Sequence, residues 1–113
     1  MQELVSKMDE MVLKGEIPQA VAKFFSEDAH TRDVDGSETN TKEEAIQKLT
    51  GFVGSIAKVN EISLLNSSIG DNVSMSEFRF HFNMKDGSEI KWHEVIRREW
   101  ADNMVVNETY FQN

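Results

Sequence analysis

Phe78-Arg79-Phe80-His81-Phe82-Asn83-Met84-Lys85-Asp86-Gly87-Ser88-Glu89-Ile90-Lys91-Trp92-His93-Glu94-Val95-Ile96 is the stretch that decides the fold. Phenylalanine recurs at every second residue, the period of a strand with one buried face. Lys85-Asp86-Gly87-Ser88 interrupts the pattern with residues that tolerate left-handed turn conformations. A second period-two run follows directly. The stretch therefore reads as a hairpin. Working outward, Gly70-Asp71-Asn72 and Asp102-Asn103 are two further breaks of the same chemistry. They divide the second half into four strands, at about 58–69, 73–84, 89–101 and 104–111. Consecutive hairpins make an antiparallel meander.

The first half has helical period. Leu4, Met8, Met11 and Val12 share one stripe, with Val5 beside it. Gly15 is a helix stop and Pro18 suits the first turn of a second helix, whose apolar face carries Val21, Phe24 and Phe25. Ala29–Val34 reads as a short strand, and Asp35–Asn40 as a polar loop. Thr41-Lys42-Glu43-Glu44 is a capping box opening a third helix with Ala45, Leu49, Phe52 and Val53 inward. Three helices in the first half and a meander in the second predict an α+β domain over residues 1–113.

Composition bounds the function. The chain has 113 residues, of which 39% are hydrophobic and 28% charged. That is the balance of a globular domain. Twelve basic residues against twenty acidic ones give a net charge of −8, which disfavours nucleic acid and anionic membrane surfaces as partners. Cysteine is absent, which excludes thiolate nucleophiles and Cys-type metal sites. Met1–Lys14 is amphipathic and acidic, unlike a signal peptide or anchor, so a cytoplasmic location is expected. No phosphate loop, dinucleotide fingerprint or serine elbow is present. His30, His81 and His93 lack metal-ligand spacing, so neither a metal site nor a cofactor is expected.

Side chains can be assigned to sheet faces by pairing through the turns. A two-residue turn at Asp86-Gly87 sets His93 opposite Phe80 and Val95 opposite Phe78. A turn at Asp102-Asn103 sets Arg97 opposite Glu108 and Val95 opposite Tyr110. The face expected to meet the helices then carries Phe78, Phe80, Phe82, His93, Val95, Arg97, Glu99, Val106, Glu108 and Tyr110. The opposite face carries Trp92, Glu94, Ile96, Arg98, Trp100, Val105 and Phe111, with Arg79–Glu94 as a surface ion pair. Its apolar residues, Trp92, Ile96 and Trp100 above all, predict a second copy packed against it in a homodimer. One bulge in either strand would exchange the faces.

Phe24-Phe25-Ser26-Glu27-Asp28-Ala29-His30-Thr31-Arg32-Asp33, continuing through Gly36, resembles the second helix and first strand of ketosteroid isomerases and SnoaL-like polyketide cyclases. Trp92–Asn103 with Val105–Phe111 resembles the last hairpin of SnoaL-like proteins. The resemblance to this nuclear-transport-factor-2-like superfamily covers nearly the whole chain. It implies a cone-shaped, curved antiparallel sheet wrapped on the helices, a cystatin-like α+β barrel, with a pocket between. It places Asp33 at the isomerase general base. The isomerase's first-helix tyrosine has no counterpart, since Tyr110 is the only tyrosine, and its catalytic acid falls near Val95 or Arg97.

Two functions follow. One is a cofactor-independent isomerase, cyclase or hydrolase acting on a small apolar carbonyl or epoxide compound. Asp33 would be its base, and Arg97, Glu108, Tyr110 and His93 would orient the substrate. An Arg97–Glu99–Glu108 cluster resembles the water-activating set of limonene-epoxide hydrolase; the plainer alternative is a cross-strand ion pair worth under about 1 kcal/mol. Asp33 has a plain alternative too, closing the turn into Gly36. The other function is a non-catalytic ligand-binding or dimerisation module of the same fold.

Overall fold

The computed structural model describes residues 1–113. Helices α1 (Gln2–Leu13) and α2 (Ile17–Phe24) precede strand β1 (Phe25–Arg32) and the short β2 (Glu38–Thr39). Helix α3 (Lys42–Gly54) leads into the meander β3 (Ile56–Ile69), β4 (Val73–Met84), β5 (Glu89–Ala101) and β6 (Met104–Gln112). The expected elements are all present, with β1 starting four residues earlier than the sequence suggests. Thr41 caps α3 as anticipated, its hydroxyl accepting from the Glu44 amide at 3.1 Å.

The sheet order is β2-β1-β6-β5-β4-β3. The meander is antiparallel, and β1 joins it parallel to β6. The sheet is therefore mixed and open, curved over the three helices in an α+β cone. The core lies between sheet and helices. Val5, Met8, Val12, Ala20, Val21 and Phe24 from the helices meet Phe78, Phe80, Phe82, Ile96, Trp100 and Val105 from the sheet. Phe52 of α3 stacks on Trp92, with ring centroids 5.4 Å apart, and Phe24 meets Trp100 edge-on at 6.3 Å.

Two register differences overturn the expected faces of β5. The β4–β5 connection is a three-residue loop, not a two-residue turn. Gly87 sits at φ 91°, its amide donates to the Met84 carbonyl at 3.1 Å, and the Met84 amide donates to the Ser88 carbonyl at 2.8 Å. This is a turn closed by a glycine bulge. Phe78 consequently pairs with Glu94, Phe80 with Trp92 and Phe82 with Ile90. Because the strand period is two, this single-residue shift turns all of β5 over. His93, Val95, Arg97 and Glu99 face outward, not into the cone. Trp92, Ile96 and Trp100 face the helices and pack in or against the core, so they do not form the outer dimer surface.

The second difference lies in β6. Asp102 and Asn103 make the expected two-residue turn at φ 52° and 65°. Beyond it, Trp100 pairs with Val105 but Glu99 pairs with Asn107, leaving Val106 as an extra, exposed residue. Val105, expected outside, is fully buried, and Val106, expected to line the pocket, is not inside. The bulge reverses the first slip for the rest of β6. Glu108 and Tyr110 therefore reach the inner face, as the uncorrected register had them.

Candidate active site

A cavity of about 140 Å3 opens between the helices and the concave face of the sheet. Thirteen of its nineteen lining residues are hydrophobic. The other six, Thr31, Asp33, Lys48, Glu94, Arg98 and Glu108, are polar, and Tyr110, counted among the thirteen, adds a hydroxyl. An apolar cavity with a few convergent polar groups is the usual form of a small-molecule site.

Arg98 organises the deep end. Its side chain is 1% exposed. Nε donates to Glu108 Oε2 at 3.0 Å and Nη1 to Asp9 Oδ1 at 2.7 Å. The Ser76 hydroxyl donates to Asp9 Oδ2 at 2.6 Å, and the Tyr110 hydroxyl donates to Glu108 Oε1. Four elements, α1, β4, β5 and β6, are thus joined through one guanidinium. Burial pulls the Arg98 pKa down, but the charges of Glu108 and Asp9 and their hydrogen bonds outweigh it, and the net displacement is upward. Tyr110 is driven well above its usual range, first by burial and then by the Glu108 carboxylate, so it remains a hydrogen-bond donor. Every solvent-shielded polar side-chain atom in the molecule has a partner. Arg98 Nη2 has none among the protein atoms, so it is not shielded from solvent, in a residue that lines the cavity.

Glu94 occupies the same strand four residues earlier, on the same face. It is 7% exposed. Oε1 accepts from Gln112 Nε2 at 3.0 Å, while Oε2 has no protein partner and is therefore not shielded from solvent, in a residue that lines the cavity. Burial, reinforced by the negative charges of Asp33 and Glu108, raises its pKa to about 7. The Gln112 bond opposes that rise and loses. A carboxyl group half protonated at neutrality serves either as proton donor or as acceptor.

Asp33 stands at the mouth. Its amide and carbonyl close the turn between β1 and β2, through Ser37 at 2.8 Å and Gly36 at 3.0 Å. Its carboxylate accepts from the Val34 amide and pairs through Oδ2 with Lys48 Nζ of α3 at 3.0 Å. Asp33 thus closes the turn, as its plain alternative had it, and also lines the cavity.

Among the residues singled out from sequence, Asp33, Phe80, Phe82, Glu108 and Tyr110 line the cavity, and Phe78 is buried beside it, stacked on Phe80. His93 instead bonds Glu77 on the outer face, and Arg97 pairs with Glu99 at 3.0 Å there. The expected Arg79–Glu94 surface pair does not form, because Arg79 pairs with His93 in the register and Glu94 points inward. Sequence reasoning passed over Asp9, Lys48, Ser76, Glu94 and Arg98. Asp9 carried a readable signal: it lies on the same helical stripe as Val5 and Val12, where a carboxylate requires a partner. No group of three metal-ligating side chains comes together.

No protein-family model and no curated relative matches the sequence. Solved structures do match. A protein described as a SnoaL-like polyketide cyclase from Mesorhizobium loti superposes with a TM-score of 0.87 over 97% of each chain at 17% identity. A nuclear-transport-factor-2-like protein of unknown function from Burkholderia pseudomallei reaches 0.83 at 11% identity, over 99% of this chain and 89% of that one. A protein with a ketosteroid isomerase-like fold from Catenulispora acidiphila, in complex with trimethylamine, reaches 0.79 at 13% identity, over 96% and 84%.

Proposed function

We propose a function from the chemistry of the cavity, because the nuclear-transport-factor-2-like cone, the fold of this chain, hosts many activities. We propose that the protein binds a small, largely apolar molecule and acts on it by cofactor-independent proton transfer. The substrate class is a compact carbonyl or epoxide compound. Glu94 carries the proposal: it is a nearly buried carboxyl group, balanced between its two protonation states, with one oxygen free toward an apolar cavity. Asp33 is the candidate base and Glu94 the candidate acid, two carboxyl groups set apart by environment. Arg98 Nη2 is the donor available to a developing oxyanion. Glu108 and Tyr110 hold Arg98 in place.

The proposal differs from the sequence expectation on β5, where the observed register puts Arg98 and Glu94 on the inner face in place of Arg97 and His93. Exchange of the α-protons of cyclohexanone into heavy water, followed by NMR, and hydrolysis of cyclohexene oxide test the proposal. Glu94→Gln is expected to lower the responsive reaction about 100-fold or more, and Asp33→Asn to lower it as well. Equal rates in native protein and Glu94→Gln, or no reaction above buffer, defeat it.

The second reading is a binding or dimerisation module. The trimethylamine held by the Catenulispora protein favours binding of a small molecule without requiring turnover. A homodimer is proposed through the outer sheet face, where Met75 and Phe111 are 42% and 52% exposed. Monomer mass by light scattering at micromolar concentration would refute that dimer.

A further inference from the structure

The electrostatics of the cavity select among its ligands. Asp9, Asp33, Glu94 and Glu108 face only two cations, Lys48 and Arg98. Lys48 is matched by Asp33 at 3.0 Å. Arg98 is outnumbered by Asp9 and Glu108 at 2.7 and 3.0 Å. Once Glu94 is ionised, the set carries an uncompensated negative charge on both the Arg98 cluster and Glu94. Glu94 and Trp92 are two residues apart on the same face of β5, and both line the cavity. Phe52, stacked on Trp92, and Phe80, Trp92's cross-strand partner, complete an aromatic wall. Aromatic faces and a carboxylate in a largely apolar cavity are what recognises an organic ammonium group. An anion would meet the same carboxylates unpaired.

We infer that the cavity is a site for a small apolar amine, bound as its ammonium ion against Glu94 Oε2 and the Trp92–Phe52 wall, and that binding expels the Glu94 proton. The inference rests on the proposed reading of the cavity as a small-molecule site and is independent of any reaction there. The size limit follows from volume, since a cavity of about 150 Å3 holds one benzene. Ligands of about six to nine heavy atoms therefore fit. The coupling follows from charge: an ammonium ion favours the ionised carboxylate, so amine binding and protonation of Glu94 exclude one another.

Isothermal titration of the whole protein with benzylamine, benzyl alcohol and benzoate separates the terms, because the three differ mainly in charge. At about pH 8, benzylamine is expected to bind at least about 10-fold tighter than benzyl alcohol, with benzoate weakest. The benzylamine Kd is expected to rise about 10-fold between about pH 8 and pH 6, as Glu94 takes up its proton. Titrations in buffers of different ionisation enthalpy should report proton release near neutrality. Glu94→Gln should abolish both the preference and the pH dependence. Should that variant fail to fold, the pH dependence of the native protein decides. Equal affinity for amine and alcohol, tighter benzoate, a pH-independent benzylamine Kd, or no binding by any of the three overturns the inference. Binding of the alcohol as tightly as the amine would leave the neutral-substrate reading standing while removing this one.

Discussion

Arg97 and Arg98 are adjacent on β5, and each faces a carboxylate, yet they occupy different physical regimes. Arg97 pairs with Glu99 on the outer face, with the two side chains 33% and 39% exposed. Water screens that pair, and forming it fixes two long side chains. Arg98 points the other way, 1% exposed, and holds Asp9 and Glu108, themselves 2% and 4% exposed. There the attraction is strong, and so is the cost of desolvating three charges. What a charged side chain contributes depends on which face it occupies, and on β5 the face is set by a single residue in a turn.

Four substitutions sharpen the contrast, and urea unfolding measures each. Arg98→Met should have the largest effect, a loss of about 3–5 kcal/mol, because two buried carboxylates lose their shared partner. A loss under about 1 kcal/mol would mean that the inner cluster behaves like the outer pair.

Glu94→Gln should act with the opposite sign, and only above acid pH. The folded-state pKa of Glu94 rises from its ordinary 4.5 to about 7. Between these values the folded protein binds more protons than the unfolded chain, so this group makes stability fall as pH rises through the window and then level off. Glutamine removes the penalty and keeps the bond from Gln112. The variant should match the native protein near pH 4 and exceed it by about 3 kcal/mol near pH 8. A pH-independent difference would show that Glu94 does not titrate in this range.

Tyr110→Phe should cost about 1–3 kcal/mol by leaving Glu108 Oε1 without its donor. Arg97→Met closes the series at under about 1 kcal/mol. An Arg97 effect as large as that of Arg98 would erase the distinction between the faces.

Most of the architecture was legible because it rests on local signals. Alternation from residue 73 to 101, Asn and Gly at the breaks, the Thr41 cap and Pro18 each report on a few neighbouring residues. The faces of β5 were not legible, because Lys85-Asp86-Gly87-Ser88 is compatible with a two-residue turn and with a three-residue loop. The two differ only in where the ladder bonds close, at Met84 and Ser88. The Val106 bulge is equally silent in sequence. Of the site, Asp33 was named through the family resemblance, and Glu108 and Tyr110 because the two register slips cancel on β6. Glu94 and Arg98 were assigned to the outer face, since with both faces of β5 carrying charge and aromatic residues, composition does not separate them.

The sequence by itself determined the α+β class, the meander and its hairpin positions, the helix boundaries to within a few residues, and a surface dominated by negative charge. These follow from period, turn chemistry and composition, which act over a few residues or over the whole chain. Only the tertiary structure decided that Arg98 and Glu94 enter the cavity while Arg97 and His93 leave it. It alone brought Asp9 from the first helix to a strand 89 residues away, and buried Glu94 deeply enough to raise its pKa to about 7. Those properties belong to the inside of the cone, where desolvation and the exclusion of water set the strength of every charge, and the inside exists only once the sheet has closed over the helices.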